Sequence, residues 1–293
     1  MLKITKTSSR SAKIALLRSV LIVLVGIVLA ARFLRGDYYA VFLCVLTLAL
    51  FNIPLIVDRT FNLKLPSLLE MIVLLFVFAA EILGEIASFY TYIPWWDTML
   101  HTVNGFIMAA IGFALIDLLN NSPKFHFSLS PVFVAFVAFC FSMTVGVVWE
   151  FFEYGMDILA HTDMQKDRLI TSVSSVLLNP SGVNEAVKFS DITETVVRYM
   201  KDGEMTEEVI RGGYLDIGII DTMKDLIVNC IGAAVFSVIG YLYILGRNKS
   251  QLAKKFIPQL KTDEEIAETK RVIEQERAAR KKRRHSRHKR IRK

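Results

Sequence analysis

Long uncharged runs dominate the polar and apolar pattern of this chain. The stretch from Leu129 to Val147 contains no charged residue. Its apolar positions follow neither the 3.6-residue period of an amphipathic helix nor the alternation of a half-buried strand. A helix whose solvent is lipid reads this way. A hydrocarbon core ~30 Å thick needs ~20 helical residues to cross it. Six stretches reach that length: Leu16–Leu34, Tyr38–Val57, Leu68–Phe89, Thr98–Leu119, Leu129–Asp157 and Thr222–Leu245. The pattern predicts an all-α polytopic membrane protein with about six transmembrane helices.

These runs divide the chain into a short N-terminus (1–15), five spans (16–159), a long loop (160–220), a sixth span (221–246) and a basic tail (247–293). The first run follows basic residues and ends near Ala30-Ala31, as a signal peptide would. The Arg32-Phe33-Leu34-Arg35 sequence after it is a poor cleavage context, and further spans follow, so it is expected to remain as a helix. The long loop is richer in Asp and Glu than in Lys and Arg. Two short helices are expected in it. One is capped by Asp191 and stops at Gly203; the other is capped by Thr206 and stops at Gly212-Gly213. Together they would make a small extracytoplasmic subdomain or lid.

Charge settles the expected orientation. Lys3, Lys6, Arg10 and Lys13 precede the first span, Arg59 and Lys64 lie in the second loop, and Lys124 lies in the fourth. The third loop, SFYTYIPWWD, has no Lys or Arg but carries Tyr90, Tyr92, Trp95 and Trp96, an interfacial aromatic belt. Arg32 and Arg35 in the first loop are the dissenting pair. The balance puts both termini in the cytoplasm. The chain is 53% hydrophobic with a net charge of +7, and most of the positive excess sits in the tail that ends RAARKKRRHSRHKRIRK. The composition excludes an ordinary soluble domain. The tail is suited to anionic lipid, at about 1 kcal/mol per basic residue near the surface, and less well to RNA. Cys44, Cys140 and Cys230 share no metal-site spacing and read as buried thiols within lipid-embedded spans, not as disulfide or zinc partners.

The charged residues inside or bordering the spans are not scattered. Span three ends with Glu81 and Glu85. Span four begins with Asp97 and His101, followed by Asn104. Span five ends with Glu150, Glu153 and Asp157, and span six begins with Asp221 and Asp225, then Asn229. Spacings of three and four put each set on one helix face. By the topology all four sets lie toward the extracytoplasmic side. A charge at mid-bilayer costs at least ~2.5–3.5 kcal/mol, so such stripes should face one another or a wet cavity. The set is read as one histidine among acids, without lysine or arginine. Carboxylates gathered that closely take up protons or bind a cation. Asp97, His101, Glu150, Glu153, Asp157, Asp221 and Asp225 are the candidate metal ligands. Oxygen donors suit Mg²⁺ or Ca²⁺, and His101 extends the choice to Zn²⁺ or Mn²⁺. His101, Glu150 and Glu153 are the candidate acids or bases. Asp97 and Asp221 serve equally well as helix N-caps, and Asp157 as a solvated acid.

The strings WWDTMLHTVNGF, VGVVWEFFEYGMD and DTMKDLIVNCIGA resemble the YjdF-type family of bacterial membrane proteins. Glu81, Gly84, Trp96, Asp97, His101, Gly105, Trp149, Glu150, Glu153, Asp157, Asp221, Asp225 and Gly232 match its motifs, over about Glu81–Leu245. The long fifth loop departs from the family's more compact form. More remotely, the Asp and His pair and the D…N..G motif resemble VanZ-like membrane proteins. That likeness implies a link to the cell envelope and glycopeptide resistance. The resemblances imply a multi-pass protein of the bacterial cytoplasmic membrane. With the acids, they suggest that it binds or acts on a cell-envelope lipid or lipid-linked headgroup. The alternatives are a cation- or proton-coupled transporter and a non-catalytic interaction protein.

Overall fold

The computed structural model describes residues 7–60, 63–120, 129–246 and 255–267, with 269–271, 274 and 278 beyond them. Lys3, Lys6, Lys124 and the basic run 279–293 lie outside the described residues, as do the side chains of Arg10 and Arg59.

The α-helices that build the two units are α1 (Thr7–Leu34), α2 (Tyr38–Leu50), α3 (Ile53–Thr60), α4 (Ser67–Phe78), α5 (Phe89–Tyr92), α6 (Trp96–Asn120), α7 (Pro131–Ala160) and α8 (Ile219–Leu245). A π-helical segment, Ala79–Ile86, continues α4. The strands are short: β1 (Leu63–Lys64), β2 (Leu169–Ile170), β3 (Val173–Ser175), β4 (Val187–Phe189), β5 (Glu194–Lys201), β6 (Glu204–Arg211), β7 (Tyr214–Leu215) and β8 (Gln259–Leu260). Among the described residues, six helical stretches are long and apolar enough to cross a membrane: Ala12–Leu34, Tyr38–Val57, Ser67–Ile86, Trp96–Asp117, Pro131–Ala160 and Ile219–Leu245. The protein is a mostly helical, multi-pass membrane protein.

The chain divides into two units, residues 1–142 with 230–293, and residues 143–229. The first holds two packed clusters. One centres on Leu21, Val25, Cys44, Leu74 and Val77 of α1, α2 and α4, with Phe51 from the break after α2. The other gathers Ala109, Ala110 and Phe113 of α6 with Val134, Ala138, Ala233 and Phe236. Lipid tails are as apolar as these side chains, so close packing rather than water exclusion holds such clusters. The second span is not one continuous helix. Pro54 cannot donate to the preceding turn, and α2 gives way to α3 around Phe51-Asn52. The Asn52 side-chain amide donates to the Leu48 carbonyl at 2.8 Å, and its oxygen accepts from Arg18 Nη2 at 2.7 Å, so the break is hydrogen-bonded internally. None of the three cysteines is in a disulfide; Cys44 is buried, and Cys140 and Cys230 are half-buried rather than buried.

In the tail, Thr262 and Glu265 make a reciprocal capping box. Glu265 N donates to Thr262 Oγ1 (3.3 Å), and Thr262 N to Glu265 Oε2 (3.1 Å). A helix starts there, at Asp263.

The second unit overturns the expectation of two helices between Asp191 and Gly213. That segment is an antiparallel hairpin, β5 paired with β6 from Glu194↔Arg211 to Lys201↔Glu204. Its connection is Asp202-Gly203, both at positive φ (53° and 86°). This is the two-residue turn whose twist matches paired strands, and Asp-Gly is among its preferred sequences. Val196, Val197, Tyr199, Val209 and Ile210 favour strands over helix. We expect Gly203→Val to speed amide exchange across Thr195–Lys201 by about five- to thirtyfold, since a left-handed conformation costs an L-residue about 1–2 kcal/mol. Exchange at the wild-type rate would contradict the turn.

Candidate functional site

In the first unit, the start of α6 carries the histidine. Asp97 and His101, four apart, present Oδ1 and Nε2 at 3.4 Å, with the His101 side chain buried. Trp96 is buried beside them and packs edge-on against Phe89 at 4.9 Å. One turn further on, the Gly105 carbonyl accepts a hydrogen bond from the buried Ser142 hydroxyl at 2.8 Å. Glu81 and Glu85 fall in the π-helical segment. Glu81 is half-buried and Glu85 exposed, so the pair does not present one shared buried face.

In the second unit, Glu150, Glu153, Asp221 and Asp225 are all buried, at 8% exposure or less, and so is Asn229. The order of depth follows from helix position. Glu150 and Asp225 sit further from the helix ends than Asp157 and Asp221. Glu153 Oε1 accepts from the Trp149 indole at 2.8 Å. Asn229 lies against Gly146, and its amide approaches the Met143 sulfur at 3.6 Å. Polar groups this deep in a spanning helix mark function more often than stability.

Two candidate ligands turn out to organise the loop. Asp157 accepts from the Thr162 hydroxyl (2.7 Å) and the backbone N–H groups of Met164 (2.7 Å) and Gln165 (2.9 Å), closing the exit from α7. Asp221 accepts from the Lys166 N–H at 3.2 Å. Gln165 Nε2 in turn donates to Thr222 Oγ1 at 2.5 Å.

The expectation of a site without lysine or arginine does not hold. Lys224 Nζ lies 3.7 Å from Asp221 Oδ1 and 3.5 Å from Asp225 Oδ1, and Arg168 Nη2 lies 3.5 Å from Asp221 Oδ1. Lys224 follows Asp221 at the i+3 spacing that gathers the acids, so its place was readable from the sequence. Arg168 is brought in across 53 residues by the fold. Sequence reasoning also misses Asp216. Its buried carboxylate accepts from Arg168 N (2.7 Å), Ile220 N (2.9 Å) and Gly218 N (3.3 Å). Burial alone would raise its pKa, but these three backbone donors outweigh it and hold the carboxyl below the ordinary value.

A family described as "Predicted membrane protein (DUF2238)" matches residues 16–246. The chain belongs to that family. The match takes in nearly all of the six spans and every candidate site residue, and the basic tail falls beyond it. The description gives a membrane protein and no activity. No curated protein and no solved structure matches the chain.

Chemically, the second unit offers buried oxygen donors together with two cations, and the first an Asp–His pair. Carboxylates and imidazole are ligands for divalent ions. The same groups, where they exchange protons, serve general acid or base chemistry.

Proposed function

We propose that the protein binds a divalent cation through its buried carboxylates and uses that site to bind or act on a cell-envelope lipid or lipid-linked headgroup. The observation that carries this reading is the burial of Glu150, Glu153, Asp221 and Asp225 within one unit of a membrane protein. Four acids removed from water hold protons or a cation. Asp225, Glu150 and Glu153 of the second unit are our choice of ligands, the two glutamates serving also as acid and base, and the Asp97–His101 pair of the first unit is a separate candidate. Asp157 and Asp221 contribute more through the loop geometry they fix.

The positive-inside argument gives the accompanying topology: both termini in the cytoplasm, the polar helix ends toward the exterior, and the loop 160–220 outside, in a bacterial cytoplasmic membrane. The link to the envelope rests on the VanZ-like resemblance alone. The basic tail is our candidate for contact with anionic lipid.

The test is elemental analysis of purified full-length protein after equilibrium dialysis against Mg²⁺ and, separately, Mn²⁺. Wild type is expected to retain a stoichiometric ion, and Asp225→Ala and Glu150→Gln to lose it while their unfolding midpoints stay close to wild type. A wild-type protein that takes up neither ion would end the metal reading.

A further inference from the structure

We propose that a groove between α1 and the end of the third span seats one anionic phospholipid, its tail along apolar walls and its phosphate on Arg32. The seat lies in the first unit and is independent of the metal reading.

The groove has a volume of about 390 Å³. Leu24, Ile27 and Val28 of α1 form one wall, and Phe78, Ile82 and Ile86 the other. Leu24, Ile27, Val28 and Ala31 are three or four residues apart in turn, so they share one helix face. Opposite them, Ile82 and Ile86 belong to the π-helical segment, a distortion frequent at functional sites. Every outward face of a span meets lipid tails. This one is concave, and a cation stands at one end of it.

That cation is Arg32, in the last turn of α1. The helix rises about 12 Å from Leu24 to Arg32. One leaflet of a ~30 Å hydrocarbon core is about 15 Å deep. The groove therefore runs inward from the helix end over most of one leaflet. A phospholipid has the same layout, with its anionic group at the interface and its chains running inward. Charge complementarity at the end of the groove, rather than apolarity along it, selects this occupant.

The guanidinium itself is held in place. Nη1 donates to Asp37 Oδ2 at 3.2 Å, and Nη2 to the Ile86 carbonyl at 3.1 Å. A contact on each arm fixes the plane of the fork, so little ordering remains to oppose binding. A guanidinium carries more N–H donors than these contacts use, and its planar fork suits phosphate oxygens. Asp37 is the one carboxylate in contact with it, and it also accepts from Ala40 N as the N-cap of α2. The Arg32 side chain is 32% exposed, so an anion can reach it. Ala31 and Ala87, next in the chain to Arg32 and Ile86, add only methyl groups to the lining.

Arg32 and Arg35 are also the pair that the proposed topology puts on the wrong side of the membrane for basic residues. A bound anion accounts for a cation kept at Arg32 against that rule.

The test is native mass spectrometry of full-length protein, delipidated in detergent and titrated with dioleoyl phosphatidylglycerol or with dioleoylglycerol, which has the same tails and no phosphate. We expect wild type to hold one phosphatidylglycerol about tenfold more tightly than dioleoylglycerol. Arg32→Gln should abolish that preference. Arg35→Gln removes the same charge at an exposed residue outside the groove and should keep it. Ile27→Trp fills the groove from an exposed position and should weaken binding of both lipids. Arg32 also ties α1 to Asp37 and Ile86, so Ile27→Trp carries the test if Arg32→Gln does not fold. Equal phosphatidylglycerol affinity in wild type and Ile27→Trp would overturn the proposal. An equal loss in Arg32→Gln and Arg35→Gln would overturn it too, since it would mean diffuse attraction by charge. A two-chain mass that Ile27→Trp abolishes, with no lipid adduct, would place a second copy in the groove and likewise overturn it.

Discussion

Gly232→Ala is expected to destabilise the helical bundle by about 2–3 kcal/mol, the upper part of the range for overpacking a tight interior. Gly232 of α8 lies so close to α6 that an added Cβ would overlap the Thr102 carbonyl oxygen. It would also come 2.9 Å from the Phe106 nitrogen and 3.0 Å from the Thr102 carbonyl carbon. These are backbone atoms of a regular helix, and no rotamer change can move them. The helices would have to separate. That would disturb Ala233 and Phe236, both fully buried, and the edge-on contacts of Phe236 with Phe106 (5.1 Å) and Phe113 (6.0 Å). Close backbone approach at a small residue is how membrane helices gain contact without a hydrophobic driving force. Gly26 in α1 is the control, since a Cβ there meets no heavy atom within 4 Å. Thermal unfolding in micelles should put Gly232→Ala several degrees below wild type and leave Gly26→Ala near it. Equal midpoints for all three proteins would mean that α6 and α8 do not approach at this point.

The six spans were legible because length and lack of charge are properties of a single stretch, and Leu129–Val147 needs no partner to be recognised. The acids were legible for the related reason that a carboxylate in an apolar run demands an explanation. Breaks within spans were harder to see. Pro54 carries a local signal for the α2–α3 interruption, but the π-helical turn at Ala79–Ile86 has none in its composition. The loop was misread because cap residues at Asp191 and Thr206 were weighed above the Asp202-Gly203 turn between two β-branched stretches. Cap signals recur by chance in any polar segment, whereas that dipeptide between strand-forming runs is far more specific.

The site was half readable. Spacing along one helix identifies Asp221 and Asp225, and the same spacing includes Lys224. It cannot show that Arg168, 53 residues earlier, reaches Asp221. Nor can it show that Asp216 serves the Arg168 amide 48 residues away. Both contacts depend on how the loop returns to α8. The return is set by short pairings such as β2 with β7, which are too brief to leave a periodic signature.

Asp216→Ala should have the largest effect among the loop residues, on the order of 3 kcal/mol of local stability. This carboxylate is the N-cap acceptor of α8 and the clasp on Arg168. Its loss leaves the amides of Arg168, Gly218 and Ile220 without their acceptor. A cap alone is worth about 1 kcal/mol, and a hydrogen bond to a charged group about 1.5–3, part of which water restores. The pH dependence follows from the direction of the pKa. The three donors hold the folded-state value below the ordinary carboxylate value. The stabilisation is therefore fully present above the unfolded pKa of about 3.9, and it is lost as pH falls through the lower folded pKa. Asp216→Asn retains one acceptor oxygen and no charge, so it should sit between wild type and the alanine variant at neutral pH. The gap between wild type and Asp216→Asn should hold from pH 7 to about 5 and close in strong acid. Hydrogen exchange at Gly218 and Ile220, followed across that range, reads it directly. A gap that persists or widens below about pH 3 would show that the charge of Asp216 does not hold the start of α8. The pinning of the Arg168 backbone would then have to come from the β2–β7 pairing alone.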